Sequence, residues 1–247
     1  MFPLRDDNPA ELPPIITVAL ILATTGVWIG LQGAGFSQNE LLGSVCGYGA
    51  IPAELTGEGS WGTSPCVPGG LRWSALLTSI FLHGGWGHLV GNMWFLWIFG
   101  NNVEDSMGHL RFLAFYLLTG LIAAGSHVLA EPGSAIPIVG ASGAISAIMG
   151  AYLVLYPRAR VKTLIFLFLF ITVIELPAFL YLGYWFLLQL LGTQAPVAAG
   201  GVAFWAHVGG FVAGVVLVIL FRDPRLVQAK RAHVRLPRDQ IRHGGWL

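Results

Sequence analysis

Charge is what this chain has least of. Only 10% of its 247 residues are Asp, Glu, Lys or Arg, against about a quarter in an ordinary soluble domain. So few charges cannot cover a water-facing surface, and the 55% hydrophobic content reads instead as a polytopic membrane protein. The formal net charge of +1 gives no field to hold a polyanion, so no nucleic-acid partner is expected. Cysteine is nearly absent: Cys46 and Cys66 are too few for a disulfide framework and lack metal-ligand spacing. The histidines contain no H-E-x-x-H pair, which argues against a metal-dependent protease. The N-terminus, MFPLRDDNPAELPP, has no positive stretch leading into a short apolar core, so it does not read as a secretory signal. No internal repeat and no second domain stand out.

Long apolar runs are what the chain does have. A membrane helix needs about 20 apolar residues, and six runs qualify as spans: 15–36, 88–103, 110–130, 140–156, 162–191 and 203–221. Between the first two lies a long segment, 37–87, too polar and too broken by Gly and Pro for a simple span. This predicts an all-α fold with three parts: a polar N-terminal segment 1–14, a single membrane domain 15–221, and a basic, flexible tail 222–247. Six spans put both termini on one side, and every Lys and Arg except Arg72 then falls on that side. The positive-inside rule makes it the cytoplasm. The segment 37–87 faces outward, with LRWSALLTSIFL at 71–82 lying in the membrane interface. Cys46 and Cys66 share this outer side. They form a disulfide if it is oxidising, or else remain two packed thiols.

Polar groups inside a membrane are costly and are functional candidates. His88 and Asn92 stand at i and i+4 at the start of the second span, on one helix face. Ser142 starts the fourth span and His207 lies one turn into the sixth. At about 1.5 Å per residue, all four fall in the outer third of the bilayer. A serine, a histidine to take its proton and two further donors are the parts needed for acyl transfer. No Asp or Glu lies at that depth to orient His207, so the unit reads as a Ser–His dyad whose base is held by packing or by another acceptor. Glu175 and Gln189 are the polar residues of the fifth span, Glu175 deep beside Pro177 and Gln189 near its outer end. A structural hydrogen bond is the expected role for Glu175, with gating the alternative.

The stretch IVGASGAISAIMGAY, 138–152, admits two readings alone. Its small residues suit close helix packing in a membrane. Its serine, between Gly140 and Gly143 at a helix start, also faces amides free to stabilise an oxyanion. Glu131–Val139 just before it, EPGSAIPIV, is non-helical, and such backbone at membrane depth must be buried or line a water-filled cavity.

Five pieces in order resemble the rhomboid family of intramembrane serine proteases: YGAIPAEL at 48–55, LLTSIFLHGGWGHLVGNMWFLWIFGNNVED at 76–105, GASGAISAIMGAY at 140–152, GYWFLLQLL at 183–191 and AHVGGFVAG at 206–214. The resemblance implies a rhomboid-like six-helix bundle with a long outer loop, no metal and no cofactor. It implies Ser142 as nucleophile, His207 as general base, and His88 and Asn92 as oxyanion donors with the Ser142 amide. Gly140 and Gly143 are the supporting glycines of its G-x-S-G. His83 is the family's preceding histidine, either structural or catalytic support. The fifth span resembles a mobile gate. Two departures stand out. Ser74 and Ala75 replace the family's Trp-Arg, with Arg72-Trp73 just before, and Ser146 replaces an aromatic that packs on the base, leaving Trp205 or Phe204 to hold His207.

The expected activity is serine endopeptidase cleavage of a membrane-anchored protein near the outer end of its transmembrane segment. The expected location is the cell membrane, with lipid and transmembrane substrates as partners. An inactive rhomboid-like binding or chaperone module is the alternative. A transporter would show matched broken helices in an inverted repeat, and a His83–His88–His207 metal site would leave Ser142 without a role.

Overall fold

The computed structural model describes residues 1–59, 64–67, 69–167, 170–194 and 202–231. After strand β1 (Phe2–Asp6) come α1 (Ile15–Gly30), α2 (Gln38–Tyr48), α3 (Pro52–Thr56) and α4 (Ala75–Thr78). Then α5 (Trp86–Phe95) passes through a π turn at Leu96–Gly100 into α6 (Asn101–Met107). The chain continues through α7 (His109–Ala130), α8 (Ser142–Leu155), β2 (Arg160–Leu167), β3 (Phe170–Pro177), α9 (Ala178–Gly192), α10 (Phe204–Phe221) and α11 (Pro224–Arg231). Among the described residues two helices, α7 and α10, are long and apolar enough to cross a bilayer, and α1, α8 and α9 are apolar but shorter.

Helix α8 is the axis of the bundle. Every residue from Gly143 to Tyr152 is buried, because small side chains let its neighbours approach on all sides. A Cβ at Gly214 of α10 would overlap the Ala147 carbonyl of α8, and one at Gly210 would overlap the Gly143 carbonyl. In the other direction, a Cβ at Gly150 would overlap the Phe211 carbonyl. On the α7 side, a Cβ at Gly143 would lie 2.6 Å from that of Ala123.

The all-α expectation needs correction. Three strands form one antiparallel sheet in the order β1-β2-β3. Phe2 pairs with Leu164, Asp6 with Val161, and Lys162 with Glu175. The first half of the expected fifth span is therefore a hairpin, and the helix begins only at Ala178. Val161, Thr163, Ile165, Ile171, Thr172, Val173 and Ile174 are β-branched and favour strands. A continuous apolar run does not separate strand from helix by periodicity. Glu175 is corrected with it: it sits at the base of the hairpin, half-exposed, paired with Lys162 (3.1 Å) and Arg160 (3.3 Å). Those two cations, Lys162 first, hold its carboxyl below the usual range.

The described residues of the segment 37–87 are tied together by covalent and polar contacts. Cys46 and Cys66 form a disulfide. Arg72 donates to Glu54 (2.6 Å), to the Cys46 carbonyl (2.9 Å) and to the Gly47 carbonyl, while Glu54 also accepts the Gly69 amide. The displaced arginine thus ties the loop down from a position three residues ahead of the family's Arg. Residues 71–82 hold only two short helical turns, Ala75–Thr78 and Ser79–Phe81.

At the end of the bundle away from Ser142, buried carboxylates gather both chain ends. Glu104 accepts the Ile16 and Thr17 amides (both 2.8 Å) and the Thr17 hydroxyl, filling donors that α1 leaves open. Asp105 accepts the Glu11 and Leu12 amides and pairs with Lys230 (2.7 Å). Lys230 also donates to Asn102 and lies over the Tyr156 ring. The tail expected to be flexible therefore docks as α11 through Lys230, and its remainder, with Arg235, Arg238 and Arg242, lies outside the described residues.

Asp6 accepts from the Tyr152 hydroxyl and from Asn102 Nδ2 (2.8 Å). Burial outweighs these bonds and pushes its carboxyl up to about 6. A folded state that holds a proton the unfolded chain releases loses stability as pH rises through that window. Wild-type unfolding midpoints should fall from about pH 4 to pH 6 relative to Asp6→Asn. The difference should reach about 3 kcal/mol above the window, read by thermal unfolding in detergent.

Candidate active site

Ser142 is the first residue of α8, and a glycine delivers it there. Gly140 has φ +124°, a conformation nearly closed to other residues, and its amide donates to the Ser79 carbonyl (2.9 Å). The approach segment is pinned from the loop side. Ala50 and Ile138 exchange both backbone hydrogen bonds, and Ala53 N–H donates to the Ser134 carbonyl. The stretch Glu131–Val139, expected to be buried or to line a cavity, reaches one through Ile138 and Val139.

His207 lies one turn into α10, its Nε2 2.7 Å from Ser142 Oγ. Its other nitrogen, Nδ1, is 2.8 Å from Gln189 Oε1 on α9. An amide oxygen only accepts, so Nδ1 carries the proton and Nε2 is the acceptor facing the hydroxyl. The sequence marks Gln189 as a polar residue of the fifth span but not as the partner of His207. Its visible signal is the spacing of Trp185 and Gln189 by four residues, one face of a helix. Trp185 and Phe204 flank the imidazole with ring centroids at 6.0 and 6.3 Å. Phe204 is one of the two expected ring holders, and Trp185 takes the place expected of Trp205. Ser146 donates to the Ser142 carbonyl (2.6 Å) rather than touching the base.

His88 and Asn92 project from the first two turns of α5 into the same cavity, about 730 Å³, that Ser142, His207 and Gln189 line. A methyl added at Gly140 would sit 2.8 Å from His88 Nε2 and 3.6 Å from Ser142 Oγ, so ring nitrogen and hydroxyl border one small space. Asn92 spends one amide hydrogen on the His88 carbonyl (3.0 Å), which leaves its second N–H for a ligand. His83 is fully buried behind them. Its backbone is clasped by Gln32 through two 2.8 Å bonds, and its ring packs edge-on against His88 at 4.9 Å. Gly143 serves the crossing of α8 with α7 and α10 described above.

Residues 70–224 match the Rhomboid domain family. The chain belongs to the rhomboid family. That makes it a membrane protein of a family that includes serine intramembrane proteases. The chain is 41% identical over 73 residues to Rhomboid-like protein 11, chloroplastic, of Arabidopsis thaliana, covering 30% of this chain and 26% of that one. It is 38% identical over 82 residues to the putative rhomboid protease YdcA of Bacillus subtilis, covering 33% and 41%. It is 28% identical over 150 residues to the human presenilin-associated rhomboid-like protein, mitochondrial, covering 58% and 36%. The chain thus spans between a quarter and two fifths of the length of the curated relatives it matches first.

Replacing Gly140 by Ala puts a methyl on the His88 ring and strains φ. On the protease reading proposed below, cleavage of a membrane reporter by Gly140→Ala should fall about 10²–10³-fold, what loss of one oxyanion donor typically costs. The unfolding midpoint should change by only a few degrees.

Proposed function

We propose that the chain is a serine-type endopeptidase that cleaves membrane-anchored proteins near the outer end of their transmembrane segment. The observation that carries this is the 2.7 Å approach of His207 Nε2 to Ser142 Oγ, with Nδ1 held by Gln189. In this reading the six spans are α1, α5 with α6, α7, α8, α9 and α10. Both termini face the cytoplasm of a cell membrane, since the basic residues other than Arg72 gather on that side.

His207 takes the Ser142 proton as Oγ attacks the scissile carbonyl carbon. The carbonyl oxygen becomes negative. His88 Nε2–H, the second N–H of Asn92 and the Ser142 amide at the start of α8 are the donors that surround it. The tetrahedral species expels the amine, which collects the proton from His207, and the acyl chain stays on Ser142 Oγ. Water entering the cavity gives its proton to His207 and attacks the ester, and Ser142 leaves with its proton restored. The neutral imidazole begins with Nδ1 protonated and Nε2 free, the tautomer the first step requires. Gln189 stabilises that tautomer as an acceptor without adding charge.

Purified protein offered a fluorescent single-span reporter in liposomes tests the assignment. Ser142→Ala and His207→Ala should each abolish cleavage, and a chelator should leave it unchanged. Cleavage surviving Ser142→Ala would sink the serine mechanism, and absent wild-type cleavage with retained reporter binding would favour the binding module. Gln189 has its own signature. Gln189→Leu should lower kcat about 10–100-fold, part of the 10²–10⁴ a positioned base supplies, with KM little changed. Gln189→Glu keeps an acceptor and adds a negative charge that favours imidazolium. It should retain activity, with the acidic limb of the pH profile moved to higher pH.

A further inference from the structure

The sheet lies beside the membrane-crossing helices, not beneath them. Phe2 stacks on Trp94 with ring centroids 5.9 Å apart, and meets Phe95 edge-on at 6.5 Å. Trp94 Nε1 donates to the Pro3 carbonyl (2.7 Å). Trp94 is eight residues into α5, so by helix rise it lies about 12 Å from that helix's start and about 10 Å outward of Asn101. Asp6, bonded to Asn102, marks the inner end of the same strand. β1 therefore runs along α5 and α6 from the membrane's inner face into the inner part of the bilayer, with β2 and β3 paired beside it and their charged residues Arg160, Lys162 and Glu175 clustered at that inner face.

The two edges of this sheet are finished differently. On β1, Pro3 has no N–H to leave open, and its carbonyl is taken by Trp94. β3 is the last strand of the order, and among the described residues no segment pairs along its far side. Ile171, Thr172 and Val173 are all exposed, Ile171 by 69% and Val173 by 50%. Consecutive strand residues point to opposite faces, so both faces are bare here as well as the edge. Lipid offers no hydrogen bonds to such an edge, and open sheet edges are not tolerated against hydrocarbon. A helix can cover such an edge by packing but cannot pair with it, because its backbone groups are already satisfied within itself. What fits is an apolar chain in extended conformation.

The position of the edge says which chain. β3 runs directly into α9, whose Trp185 and Gln189 line the Ser142 cavity, and β1 packs on Phe95, which lines it too. The sheet joins two walls of the cleavage cavity. We propose that β3 is a docking strand: the substrate's membrane segment, unwound on the inner side of the cut bond, adds to its free edge as a fourth strand. This is strand addition supplied from within the membrane, and it rests on the protease reading above. It gives the substrate an alternative set of backbone partners as its helix opens. Selectivity then falls on alternate substrate side chains meeting Ile171 and Val173 on one face and Thr172 on the other.

Crosslinking tests it. In the Ser142→Ala background, Val173→Cys is combined with a single-span reporter carrying one cysteine, moved through ten consecutive positions on the inner side of the cut bond. Oxidation in liposomes should give crosslinks at every second position. Thr172→Cys should select the intervening positions, and serves equally should Val173→Cys fail to fold by its unfolding midpoint. A repeat of three to four positions would mean a helical substrate and would overturn the proposal. So would no crosslink from either variant, or Val173→Cys crosslinking only to a second copy of the protein. Catalysis is not read in this experiment. A failure of the Ser142 mechanism appears in the cleavage assay, and a failure of docking appears here.

Discussion

Backbone lying directly on backbone, where α8 crosses α10, is the constraint on which the rest depends. At Gly214 and Gly210 the carbonyls of Ala147 and Gly143 occupy the space a side chain would fill, and at Gly150 the Phe211 carbonyl does the same. Helices in lipid gain little from burying apolar surface, so such contacts supply the packing energy. They also set register. Sliding α10 along α8 by a single residue, about 1.5 Å, would drive a Cβ into a carbonyl and pull His207 out of reach of Ser142. The same interlock that stabilises the bundle thus places two side chains at one end of it within hydrogen-bonding distance.

The other end is held by charge. Glu104 and Asp105 are buried on α6 and accept main-chain amides from residues 11, 12, 16 and 17, with the Thr17 hydroxyl and His109 also on Glu104. Lys230 then balances Asp105. Removing one partner from such a buried pair typically costs about 3–5 kcal/mol, because the other charge is stranded. N-terminal segment, first helix and C-terminal helix are thus fastened to one short stretch, Asn102–Asp105.

Much of this was legible beforehand where a residue type is expensive in its setting. Ser142, His88, Asn92 and His207 stood out as polar groups in apolar runs, and the structure brings all four to one cavity. Helix limits for α7, α8 and α10 fell within two residues of the apolar runs. The sheet was illegible for a physical reason: between Lys162 and Glu175 no charge interrupts the run, so a hairpin and half a helix look alike. That error carried Glu175 deep into an apolar helix, whereas in the hairpin it stands directly opposite Lys162, pairs with Arg160 as well, and forms an ordinary exposed ion pair. The role of Lys230 was hidden because its partner Asp105 is 125 residues away. The disulfide stayed open because reach between two cysteines is a matter of geometry, and Arg72 anchors the loop from a position no motif marks.

One feature of the site joins two helices rather than one. The base sits on α10, but the oxygen that fixes its tautomer sits on α9. In the proposed mechanism, the basicity and direction of the imidazole are therefore properties of how those helices pack. If α9 tilts away to admit a chain, His207 loses its acceptor and its preferred proton position, and Ser142 loses its activator. When α9 returns, both are restored. In that mechanism the spacing between α9 and α10 sets whether Ser142 has an activator, so helix packing and reactivity are one variable.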